Sequence, residues 1–203
     1  MKDITGPIQE IQEDLEIASQ DKFKDFLPVL DECDIIQLSE EQLKGLVFVA
    51  GYCVTKLIQE TCKGCQNQFC KEDKLTVETS NDSYMFIQAL DRGGLTWPTY
   101  YAVDIVTQIF TVFQVLIGSK KNEKQFLTSG NQRRLLMYLG SQRLADLGLL
   151  EASCQQCEKD LFGPNIQNVC VPAVNIFLNN YSKSFTSQVT NKKRKIQTVN
   201  KRF

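Results

Sequence analysis

The chain contains no histidine. That absence removes the side chain most often used as a general base near neutral pH, and with it the most common zinc ligand. An apolar N-terminal leader is missing too. The opening residues, MKDITGPIQEIQEDLEIASQ, are polar and acidic, so no secretory signal is expected. No segment alternates polar and apolar residues convincingly over six positions, which argues against half-buried strands. There is no internal repeat and no long low-complexity tract.

What is present is a globular composition. Of 203 residues, 42% are hydrophobic and 23% charged, enough apolar material to close a core in one domain of ordinary size. The net charge of -1 conceals an asymmetry. Residues 1–45 hold twelve acids against four bases, whereas residues 192–203 hold six bases and no acid. The two ends therefore suit different surroundings.

Helical spacing runs through the middle of the chain. Ser39 followed by Gln42 is a capping-box pattern, with Glu40 and Glu41 suited to the positive end of a helix dipole. Leu43, Leu46, Val47, Ala50, Cys53, Val54, Leu57 and Ile58 then share one face, with Gly51 reserved for close approach of a neighbouring helix. Upstream, residues 7–27 suggest short acidic helices that Pro28 breaks. Residues 71–81 read as a loop and 83–90 as a short helix, stopped at Gly93-Gly94. Thr96 is the expected cap of the next helix, with Pro98 in its first turn. That helix is apolar nearly all round to about Ile117. It also holds Asp104, Gln108 and Gln114, so it reads as a buried core helix rather than a membrane span. Residues 118–124 read as a basic connector, and Asn131 to Leu147 as a further helix with Leu135, Leu136, Leu139, Leu144 and Leu147 as its apolar set. A last helix is marked by Ile166, Val169, Cys170, Ala173, Phe177, Tyr181 and Phe185, with Pro164 and Pro172 beginning or kinking it. The expectation is an all-α fold: a single irregular helical domain over 39–189, an acidic helical segment over 1–38, and a disordered basic tail over 190–203.

Eight cysteines without a secretory signal point to thiols or metal ligands rather than a disulfide framework. Two C-x-x-C pairs, Cys62/Cys65 and Cys154/Cys157, match the way a tight turn offers two thiolates to one zinc ion. Together they complete a four-cysteine zinc site that clamps the first strong helix to the segment before the last one. The alternative is buried free thiols, and Cys70 is a substitute ligand. Redox use of C-x-x-C calls for a βαβ context that this sequence lacks. Lys192, Lys193, Arg194, Lys195, Lys201 and Arg202 form a basic run suited to nuclear localisation or to phosphate contacts, the alternative being a merely solvated terminus. Arg133 and Arg134, with Lys120, Lys121 and Lys124, extend the basic surface without aromatic residues for base stacking. Asp91-Arg92-Gly93-Gly94 reads first as a helix stop and only second as a phosphate contact. The acids of residues 1–45 read as a solvated face.

Two blocks carry a resemblance. LVFVAGYCVTKLI at 46–58 supplies Val49, Ala50, Gly51, Tyr52, Val54, Lys56 and Leu57, and Cys62 and Cys65 follow. LDRGGLTWP at 90–98 supplies Asp91, Arg92, Gly93, Gly94, Leu95, Trp97 and Pro98, with Thr99 next. In this order, over roughly residues 40–200, the chain resembles the C-terminal region of P-element-type transposases, including THAP-domain-bearing ones and their domesticated relatives. Cys154 and Cys157 stand where that family often has a second Cys/His pair. The resemblance implies descent from a transposase without its RNase H-like carboxylate core or its N-terminal zinc module. It therefore implies no enzyme activity, a nuclear location, and weak DNA-backbone binding or association with a parent transposase core or another protein. No membrane and no small-molecule substrate are expected. The competing expectation is a helical protein–protein interaction module with no nucleic-acid role, and an active nuclease ranks behind both.

Overall fold

The structure is a computed structural model that describes residues 21–58, 61–71, 94–150, 154 and 168–183. Among these residues the fold is all helical, with no strand. A 3-10 helix over Asp21–Ile35 precedes α1 (Glu40–Leu57), α2 (Lys63–Phe69), α3 (Tyr100–Gly118), α4 (Lys120–Thr128), α5 (Gln132–Asp146) and α6 (168–183).

The 3-10 helix runs through Pro28, which the sequence reading takes for a break. Its apolar residues explain this. Phe23, Phe26 and Val29 recur every three positions, as do Leu27, Leu30, Cys33 and Ile36. At three residues per turn each set forms a stripe. Phe23, Val29, Leu30 and Cys33 are buried in the common core, while Pro28 faces solvent. Arg143 of α5 holds the end of this helix, donating to Asp34 at 2.6 Å and to Gln108 of α3 at 3.1 Å. Asp34 is 72% exposed, so the pair serves geometry more than stability.

Helix α1 begins as the sequence requires. The Gln42 N–H donates to Ser39 Oγ and the Gln42 side chain accepts from the Ser39 N–H, the reciprocal capping box. Leu46, Val47, Ala50, Cys53, Val54 and Leu57 are buried; Leu43, expected on the same face, is exposed. Helix α3 is the centre of the molecule. Ala102, Ile105, Val106, Ile109, Thr111, Val112, Phe113, Val115 and Leu116 are buried, and α1, α2, α4, α5 and the 3-10 helix all pack against it. It is the one described helix long and apolar enough to cross a membrane, and half of that apolar window is buried inside the fold. Phe110 and Phe113 meet Phe177 of α6 at ring distances of 5.1 and 6.0 Å, which seats the last helix on the same core. Pro172 lies within α6 rather than ahead of it.

Three expectations need correction. The α3 cap is Thr99, not Thr96: Thr99 is extended and its hydroxyl accepts from the Ala102 N–H, so Pro98 stands outside the helix, paired with Cys70. Residues 120–128 form a helix instead of a connector. Ser119 caps it, and Asn122 and Phe126 are buried, Asn122 donating to the Val115 carbonyl at 3.3 Å. Leu147, expected in the apolar set of α5, is 43% exposed because the helix has already ended there.

Gly51 meets a loop rather than a helix. A Cβ at this position would lie 2.8 Å from the Thr96 carbonyl oxygen and 3.2 Å from Leu95. Gly45, in the same helix, has open space around it. The two glycines therefore predict opposite signs. Gly45→Ala should stabilise by up to about 1 kcal/mol through helix propensity alone. Gly51→Ala gains the same propensity but pushes a methyl into backbone, at a cost of about 1–3 kcal/mol. Chemical denaturation of the two variants should give midpoints on opposite sides of the parent protein.

Candidate metal centre

Three cysteines from two distant stretches converge. Helix α1 ends at Leu57, and its last carbonyls are taken up locally. Thr61 Oγ1 donates to the Leu57 carbonyl at 3.1 Å, and the Gln66 amide donates to the Ile58 and Thr61 carbonyls at 2.9 and 3.0 Å. Those bonds fold the chain back so that Cys62 becomes the N-cap of α2. Its sulfur accepts from the Cys65 N–H at 3.4 Å, and Cys65 sits three positions on, buried.

The third cysteine arrives by a separate route. Helix α5 stops in a Schellman turn: the Leu149 N–H donates to the Leu144 carbonyl and the Gly148 N–H to the Ala145 carbonyl, each at 2.9 Å. Gly148 has φ +66°, a left-handed conformation that glycine adopts without a Cβ penalty. The turn directs Leu149 back onto α3, where the Tyr101 hydroxyl donates to its carbonyl at 2.6 Å. Burial first, and then nearby Cys170, hold the Tyr101 phenol above its ordinary range, so it remains a donor. Five residues after Leu149 comes Cys154, buried at 2% exposure.

The sulfurs of Cys62, Cys65 and Cys154 lie within 4.8 Å of one another, and those of Cys62 and Cys154 are 3.5 Å apart. A disulfide would need about 2.05 Å. Two thiolates on one tetrahedral ion, each about 2.3 Å from it, stand about 3.8 Å apart. The cluster therefore fits a metal ion with three cysteine sulfur ligands. All seven described cysteines are free of disulfides.

The other described thiols belong elsewhere. Cys70, the substitute ligand of the sequence reading, is not in the cluster. It pairs with Pro98 in an isolated antiparallel bridge, and burial pushes its thiol up to about 11. Burial likewise pushes Cys33 up to about 11, against a lowering by Arg143. Cys170 rises further, again through burial, with Cys53 nearby adding to it. These are core thiols kept protonated. Cys157, the expected fourth ligand, lies outside the described residues, as do Asp91, Arg92, Gly93 and the basic run of Lys192, Lys193, Arg194, Lys195, Lys201 and Arg202.

The cysteine cluster is coupled to the central helix through α2. The C-terminal end of α2 binds the segment before α3 by three bonds: Lys71 N–H to the Trp97 carbonyl at 2.8 Å, Thr99 N–H to the Phe69 carbonyl at 2.9 Å, and Thr99 hydroxyl to the Gln68 carbonyl at 2.6 Å. The same Thr99 oxygen accepts from the Ala102 N–H at 3.3 Å and caps α3. Thr55 of α1 joins in, its hydroxyl donating to the Gly51 carbonyl and accepting from the Thr96 N–H. The described residues of the two blocks, 46–58 and 94–98, thus pack on each other: Val47 and Trp97 share a buried cluster with Leu95 and Val103. Sequence reading found the cysteines by their spacing but missed Thr99, Tyr101 and Gly148. Of these, only Gly148, one residue past the expected helix end, left a local signal.

Thr99→Ala should lose both the cap and the bond to Gln68, lowering stability by about 1–2 kcal/mol. Thr99→Ser keeps the oxygen and should recover most of that loss. Thermal melts of the pair separate hydrogen bonding from the packing of the methyl group.

No protein-family model matches the chain, and no curated protein or solved structure is detectably similar to it.

Proposed function

We propose that this chain is a non-catalytic, zinc-clipped helical domain derived from the C-terminal region of a P-element-type transposase, acting in the nucleus with weak affinity for the DNA backbone. The observation that carries the reading is the meeting of Cys62 and Cys65 with Cys154, 92 residues from Cys62, inside a helical fold. Thiolate sulfur is the donor type that selects zinc among the common divalent ions, and Cys157 is the fourth ligand proposed from the C-x-x-C spacing. When bound, the ion would supply cross-linking rather than chemistry, since four protein ligands leave it no open position. The mutual packing of the 46–58 and 94–99 blocks adds support, because it gives one structural reason for the two sequence blocks to occur together.

The DNA part of the proposal rests on the run from Lys192 to Arg202 and on descent from a transposase. A second reading, a protein–protein interaction module, is favoured by exposed aromatic residues. Phe48 and Tyr52 lie one turn apart on α1, at 36% and 46% exposure, and Tyr100 is 60% exposed.

Metal loading tests the first element. Elemental analysis should give one zinc per chain, lost in Cys65→Ser, and chelator treatment should lower the melting temperature, because binding to the folded state is folding free energy. A metal-free chain with an unchanged melt would remove the zinc clip.

The second element is tested by salt. Six phosphate contacts from the basic run give a log–log salt slope near roughly -5 on duplex DNA. Replacing its six bases with glutamine should abolish that part of the slope and release a fluorescent fusion from the nucleus. If the unaltered chain fails to bind duplex at low salt, the interaction-module reading takes over.

A further inference from the structure

Cys62 differs from the other described cysteines in one respect: solvent reaches it. Cys33, Cys53, Cys65, Cys70, Cys154 and Cys170 are buried, whereas Cys62 is half-buried where α1 gives way to α2. Its sulfur lies 3.5 Å from that of Cys154, in direct contact. An approach of about 1.5 Å brings two such sulfurs to bonding distance. The third sulfur, that of Cys65, lies within 4.8 Å of both and belongs to α2. The cluster thus sets a sheltered thiol beside one that an oxidant can reach, which is the arrangement of a redox-sensing cysteine and its resolving partner.

We propose that the cysteine cluster is a peroxide-sensitive clip, in which oxidation joins Cys62 to Cys154 by a disulfide and displaces the metal ion. The inference rests on the metal-clip reading above and adds how that site is regulated. The chemistry balances with a hydroperoxide as oxidant. The Cys62 sulfur attacks the peroxide O–O bond and becomes a sulfenic acid; with hydrogen peroxide the second oxygen leaves as water. The Cys154 sulfur then attacks the Cys62 sulfur and displaces the sulfenic hydroxyl as a second water. The two sulfurs lose two electrons, and the O–O bond takes them up. In the metal-free chain the two thiols supply the two protons. In the loaded chain the two sulfurs release the dication instead, and solvent supplies the protons. Oxidation leaves Cys65 and the proposed ligand Cys157, half of the four that a structural zinc site uses.

The choice of partner has a structural consequence. Cys62 and Cys154 are 92 positions apart, and their bond ties the start of α2 to the chain beyond α5, the same two stretches that the ion would tie. The clip therefore stays closed when the ion leaves, and the bonds from α2 to Thr99 keep their frame. A bond between Cys62 and Cys65 would not do this, since both lie in one helical turn. The nucleus proposed above is a reducing compartment, which returns the pair to thiols once the oxidant is gone.

The test uses the full, zinc-loaded chain and hydrogen peroxide. Zinc release, read with a chromogenic chelator, should reach one ion for every two thiols lost, and dithiothreitol should restore both thiols. Trypsin cuts after Lys56, Lys63, Arg143 and Lys159, which puts Cys62 and Cys65 on different peptides. Without reductant, peptide 57–63 should be found joined to peptide 144–159, with fragmentation placing the bond at Cys154. Cys154→Ser should abolish that joined pair and Cys157→Ser should retain it. The oxidised chain should also unfold at a higher urea concentration than the reduced, metal-free chain, because closing a long loop restricts the unfolded state. A bond from Cys62 to Cys65 or Cys157, or thiol loss with the zinc retained, overturns the inference and leaves the metal clip standing. If the chain takes up no zinc, the metal clip falls; the disulfide then survives only where peroxide still joins the same two peptides through Cys62 and Cys154.

Discussion

Helix α3 is apolar on nearly every side, and no single neighbour is large enough to cover it. A helix of this kind left in water would expose a broad apolar surface, so the rest of the chain is arranged to wrap it. Helices α1 and α5 take two flanks, the 3-10 helix and α4 close further sides, and Phe177 of α6 meets the Phe110 and Phe113 rings. Each covering element is short or only partly apolar. Their stability comes chiefly from the shared contact with α3 rather than from intrinsic helix propensity.

The start of α3 is where local and long-range structure meet. Thr99 caps the helix with the same oxygen that donates to Gln68, and its N–H is bound to Phe69. The seven-residue helix α2 therefore carries two attachments. One end holds the cysteine cluster and the other holds the entry into the central helix. A metal ion at the cluster would stiffen the element that sets the position of α3, although no ligand atom lies on α3 itself.

Elements decided by local chemistry were legible in the sequence. The Ser39–Gln42 box, the apolar run of α3 and the leucines of α5 all declare themselves within a few residues, and the fold is helical as they require. Elements decided by contacts far along the chain were not. The choice of Thr99 over Thr96 depends on bonds to residues some thirty positions away. Helix α4 is polar in seven of nine positions and is seated by one phenylalanine and one asparagine. The 3-10 helix has a three-residue apolar period that a search at 3.6 smears out, and a proline that local rules treat as a stop. The site was legible in part. Paired cysteine spacing announces ligand pairs and brought Cys62, Cys65 and Cys154 to notice, but spacing is silent on why Cys70, five residues from Cys65, turns away. That is settled by its backbone pairing with Pro98.

The Cys70–Pro98 bridge has an entropic consequence. With the Lys71 N–H bonded to the Trp97 carbonyl, the two ends of the intervening sequence are held together at one place on the fold. The entropy of closing a flexible loop grows only with the logarithm of its length, so doubling the excursion costs about 0.6 kcal/mol. As far as closure at this bridge is concerned, the spacing between Lys71 and Trp97 is therefore only weakly constrained by entropy.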